Sequence, residues 1–192
     1  MDKYEISQEE LLSVLEQTVH QATERHKLEL SVPAKEYLVE MLERFAENFD
    51  LYKDVWLTPI TIQYQHINNE LNKVNNKLNG VQQIQLQRDL GDHCLFLVGY
   101  FYDFVREHGE GQVHYHAQIG SAAYQQIGKI PYLELAEKFS DLYLIIGDLH
   151  LPSIDEKRLI EIYERWEKTR DRYYASLLLG KGIVPQSFKG HN

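Results

Sequence analysis

The longest apolar run in the chain, Cys94 to Tyr102, is interrupted only by Gly99. A helix that is apolar on nearly every side cannot rest against water, so this one must be covered by other helices. The run is far shorter than the roughly 20 residues that span a bilayer, so the cover is expected to be protein and no membrane partner is expected. It belongs to a longer stretch, Leu86 to Gly128, whose second half sets His114 and His116 beside the small residues Gly120 to Ala123. The expected fold is all-α, a single-domain bundle of six or seven helices around a central apolar helix at about 82–107. With 192 residues, 43% of them hydrophobic, the chain is long enough to build such a core without disulfides or a structural metal.

The remaining helices follow from caps and periodicity. Ser7 and Glu10 form a capping box, and Leu11, Leu15, Val19 and Ala22 make a helical stripe over about 7–27. Pro33 suits a first helical turn, and Leu38, Met41, Leu42, Phe45, Ala46 and Phe49 give the second helix an apolar face with acidic residues outside. Ile67, Leu71, Val74, Leu78 and Val81 are spaced four, three, four and three, a heptad rhythm carried on a segment with six asparagines between Asn68 and Asn79. Asparagine is a poor helix former, so such a helix needs packing partners. The helix is expected to lie on the core, with a dimer seam as the alternative; for that seam Ile67, Leu71, Val74 and Leu78 are the candidate interaction residues, and Leu71→Glu with Leu78→Glu is expected to abolish self-association while leaving the fold. Further helices are expected at about 112–128, 131–149 and 153–179, the last opened by a capping box from Ser153 to Glu156. The domain is expected to span 1–179, followed by a mobile C-terminal tail at 180–192 that lacks periodicity.

Nine histidines raise the question of a metal. None has Asp or Glu three residues before it, His-Glu-x-x-His is absent, and a single cysteine cannot make a structural zinc site. A looser constellation remains: Asp89, Asp92 and His93 with His114 and His116. Positions two apart on a helix differ by about 200° of rotation, so His114 and His116 cannot both point inward if their segment is helical. A transition metal or haem held between the fourth and fifth helices by Asp92, His93, His114 and His116 is the alternative reading; no cofactor is the expected state. Asp92 lies one turn before the apolar run, where an unpaired carboxylate is costly, and its candidate partners are Arg88, Ser121 and Tyr124. Gly99 is expected to face another backbone, because a mid-helix glycine costs roughly 0.5–1 kcal/mol against alanine unless close approach compensates.

The net charge of -9, from 29 acidic and 20 basic residues, disfavours nucleic acid, and no basic recognition helix is visible. Phosphate loops and nucleophile elbows are absent, since Gly180-Lys181-Gly182 follows no strand. The N-terminus lacks the apolar core of a secretory signal, and Cys94 sits among apolar neighbours, so a cytoplasmic location is expected. Leu90-Gly91-Asp92, Leu95-Phe96, Gly99-Tyr100-Phe101 and Gly120-Ser121-Ala122-Ala123-Tyr124 resemble a group of bacterial all-helical proteins without assigned activity. The likeness covers residues 86–128 and implies a bacterial source; His114-Tyr115-His116 departs from the aromatics expected there. Without catalytic motifs, the expected function is non-enzymatic: a protein-binding or adaptor module, or a homodimer. The alternative is a helical metal- or haem-dependent oxidoreductase or oxygenase-like protein.

Overall fold

Local caps and one apolar run settle most of the architecture. The computed structural model describes residues 7–48, 80–109 and 111–186. Among these the regular structure is entirely helical: α1 Gln8–His26, α2 Val32–Glu47, α3 Gly80–Tyr100, α4 Tyr102–Glu107, α5 Gln112–Ile127, α6 Tyr132–Glu137, α7 Phe139–Gly147, a 3-10 turn Asp148–Ser153, α8 Glu156–Thr169 and α9 Arg172–Gly180. The all-α expectation holds. None of the described helices is long and apolar enough to cross a membrane.

α1 and α2 form an antiparallel hairpin. The Ser7 hydroxyl accepts from the Glu10 amide at 3.3 Å while the Ser7 amide donates to Glu10 Oε2 at 2.9 Å, the expected capping box. Lys27 leaves α1 in the left-handed region, and Ser31 caps α2 ahead of Val32 and Pro33. At the open end, Gln8 Nε2 reaches across to Glu43 at 3.2 Å and Glu47 at 3.0 Å. The heptad-spaced residues Ile67, Leu71, Val74 and Leu78 lie outside the described residues.

α3 is the central element, buried almost continuously from Leu90 to Gly99 and packed against α5 and α7. Close approach explains one small residue of α3 and one of α5. A Cβ on Gly99 would stand 2.5 Å from Ile146 Cβ and 3.0 Å from the Tyr143 carbonyl, so Gly99 does face another backbone. A Cβ on Gly120 of α5 would stand 2.7 Å from Cys94 Cβ and 2.4 Å from the Phe139 ring. A large apolar cluster joins α1, α2, α3, α5, α6 and α7; a second forms where α8 and α9 close over Val98, Tyr102 and Leu144.

Three expected helices are each broken. The helix expected at 82–107 bends at Phe101, where the Tyr173 hydroxyl donates to the Gly99 carbonyl at 3.0 Å and His150 Nε2 meets the Tyr100 carbonyl at 2.7 Å. The helix expected at 131–149 breaks at Lys138 and ends in the 3-10 turn. The helix expected at 153–179 breaks at Arg170, which is left-handed, and restarts with Asp171 accepting from the Tyr173 amide at 3.0 Å. Its start is also corrected: Asp155, not Ser153, caps α8 by accepting from the Arg158 amide at 2.8 Å. Beyond α9, Ile183 folds back on the second cluster and its amide donates to the Leu178 carbonyl at 2.9 Å.

Candidate functional site

Asp92 is buried, with 4% of its surface exposed, and holds three elements together. Tyr37 of α2 and Tyr124 of α5 donate to Oδ1 at 2.6 and 2.7 Å, and Arg44 of α2 donates to Oδ2 at 2.7 Å. Burial pushes the Asp92 carboxyl up, against the two phenol donors and Arg44, which pull it down. Burial, together with the Asp92 charge, raises both tyrosines well above the ordinary phenol range, so they remain donors. Tyr124 was expected from the sequence; two other expected partners are corrected. Arg88 turns to Asp89 at 3.0 Å, and Ser121 donates to the Ala136 carbonyl at 2.8 Å. The network therefore fixes the inner face of α2 to the central helix.

The histidine constellation separates. His93 of α3 feels His116 of α5: burial, and then the neighbouring His116, pulls His93 down to about 4, and burial pulls His116 down to about 4. Both imidazoles are neutral near pH 7. His114 is exposed, as a helical offset of two residues requires, and Asp89 is exposed beside Arg88. No group of three or more His, Cys, Asp or Glu is placed to hold a metal ion among the described residues. The Cys94 thiol is pushed up to about 12 by burial, which keeps it unreactive.

One cluster escaped sequence reasoning. Arg25 and His26 at the end of α1 meet Asp148 Oδ2 at 2.5 and 3.1 Å, and Ser176 of α9 meets His26 Nε2 at 3.2 Å. Serine and aspartate thus converge on the same ring nitrogen. A hydrolase triad needs them on opposite nitrogens, so this arrangement cannot carry a proton from the serine through the ring. It is a tie between α1, the 3-10 turn and α9.

The outer side of α2 carries a different feature. Glu36, Glu40, Glu43 and Glu47 recur at spacings of four, three and four, which sets them in one stripe. Beside the first three, α1 and α2 enclose a groove of about 510 Å³, bordered on α1 by Glu16 and His20. Its floor is apolar: Val19 and Val39, 2% and 6% exposed, with half-buried Leu12. Lys35 is the only lysine or arginine among the described lining residues. Like charges three or four residues apart on a helix repel, so the stripe stores local field that a cation can relieve. The acidic outer side of α2 was legible in the sequence; the groove was not, because it needs the register of α1 against α2.

No family model matches the chain, and comparison with curated proteins and with solved structures gave no match.

Proposed function

We propose that the protein is a non-enzymatic binding module whose α1–α2 groove docks a basic amphipathic helix of a partner protein. The observation that carries this reading is the acid-rimmed groove with an apolar floor: the valines and Leu12 suit the apolar stripe of such a helix, and Glu36, Glu40 and Glu43 suit its flanking lysines or arginines. The groove follows α1 from Leu12 to His20, nine residues spanning about 12 Å at the helical rise, so it takes roughly two turns of a partner helix. So short a contact fits a transient complex. Electrostatic steering would raise its association rate and make it weaken with salt. The Asp92 network supports the same reading, because Tyr37 and Arg44 anchor α2 from behind and hold the stripe in register.

The test uses a fluorescent two-to-three-turn helical peptide with a leucine stripe and lysines on either side, read by anisotropy. Saturable binding that weakens from low to physiological salt is expected. Reversing Glu36, Glu40 and Glu43 to lysine is expected to weaken it at least tenfold. Reversing the exposed Glu156, Glu164 and Glu167 of α8 changes net charge equally and is expected to have little effect. Equal losses from the two triple variants would reduce the interaction to non-specific charge and remove the proposal.

A further inference from the structure

The break between α3 and α4 opens a second site, independent of the acidic groove. A helix interrupted at Phe101 gives up backbone hydrogen bonds, and here two side chains from distant elements hold the freed carbonyls: Tyr173 on Gly99 and His150 on Tyr100. The break borders a partly enclosed cavity of about 280 Å³ between α4, the 3-10 turn, α8 and α9. The walls are aromatic and aliphatic, with Tyr100, Phe101, Phe104 and Tyr173 facing Ile162 and Leu177.

Three properties of this cavity specify a ligand. Its volume is about twice that of the ~150 Å³ apolar cavity that accommodates a benzene ring, which limits the occupant to one or two rings. Its charged rim is already neutralised: Arg158 is paired with Asp103 and, at 2.9 Å, with Glu161, while Asp103 also accepts from Tyr174 at 2.6 Å and Arg165 at 2.8 Å. A charged ligand would have to compete with those pairs, whereas a neutral one leaves them intact. Finally, His150 lines the cavity and carries an acceptor. With Nε2–H donating to the Tyr100 carbonyl, the ring is fixed in the tautomer whose Nδ1 carries a lone pair. No described side chain donates to that nitrogen.

The geometry points to a binding site for a small uncharged aromatic molecule of one or two rings carrying an O–H or N–H donor, the chemical class of phenols and indoles. The ring lies among the aromatic walls, and its donor meets His150 Nδ1. Aromatic pairs contribute about 0.5–1.5 kcal/mol beyond the area they bury, so a planar ligand is favoured over an aliphatic one of equal volume.

Indole and benzothiophene serve as probes, of one shape with and without the N–H. Binding is measured by ligand-observed NMR titration and, independently, by the shift of the His150 ring resonances. Indole is expected to bind saturably and to move the His150 ring, with benzothiophene about tenfold weaker, the loss of one hydrogen bond. Ser153→Trp, at an exposed position on the cavity lining, is expected to block indole without lowering the melting temperature. Absence of saturable indole binding, indole binding that leaves the His150 resonances in place, or equal affinity for the two probes would overturn the assignment. Should Ser153→Trp fail to fold, the wild-type resonance shift and the probe ratio decide the matter alone.

Discussion

Truncating Asp92 to alanine tests the network that anchors α2. The substitution removes the acceptor of two buried hydroxyls, Tyr37 and Tyr124, and of one guanidinium. A buried donor left without an acceptor costs about 1–3 kcal/mol, so the two phenols together contribute roughly 2–6 kcal/mol of destabilisation. Arg44 adds little, because its side chain is 40% exposed and returns to water. In a chain of this size each kcal/mol moves the melting temperature by about 2–4 °C, so Asp92→Ala is expected to lower it by about 10 °C in thermal unfolding followed by circular dichroism. The decisive comparison adds Tyr37→Phe and Tyr124→Phe to the same chain. With no hydroxyl left to satisfy, the triple variant is expected to melt well above Asp92→Ala despite carrying more substitutions. An unchanged melting curve for the single variant, or a triple variant no more stable than it, would refute the account of Asp92 as a satisfied tie between helices.

Gly99→Ala places a methyl 2.5 Å from Ile146 Cβ and is expected to cost about 1–3 kcal/mol through overpacking; a variant with wild-type stability in urea would show that the α3–α7 contact yields. His93 and His116, held down to about 4 from an ordinary 6.5, favour the native state in their neutral form. Their contribution is full above the unfolded value and is lost as pH falls toward the folded one, by about 2 kcal/mol per ring by about pH 5. Melting temperatures should therefore decline below about pH 6.5, and His116→Gln should flatten that decline; a flat wild-type profile contradicts the burial of both rings.

How far the sequence could be read depends on the range of the interaction concerned. Ser7 with Glu10, Pro33 in a first helical turn, and the apolar run from Cys94 act within a turn or along one helix, and the structure places them as the residues imply. The break at Phe101 depends on Tyr173, 74 residues from the carbonyl it takes, and on His150, 50 residues from its own. Nothing in the local pattern could announce it. Asp92 was singled out because a carboxylate beside an apolar run must be paired, yet Tyr37 and Arg44 lie 55 and 48 positions away and only tertiary contact brings them in. Ser153 and Asp155 are both competent caps two residues apart, and the 3-10 turn decides between them by ending at Ser153. For the groove, the spacing of Glu36, Glu40, Glu43 and Glu47 was visible, while its partner face on α1 was fixed by which side of Val19 turned inward.

Amide hydrogen exchange, with and without the lysine-flanked peptide, tests the docking claim most directly. The account predicts protection confined to α1 around Leu12–His20 and α2 around Lys35–Glu43, lost in the Glu36, Glu40 and Glu43 reversal variant. Protection centred elsewhere, or none at a peptide concentration that saturates the anisotropy, would contradict it.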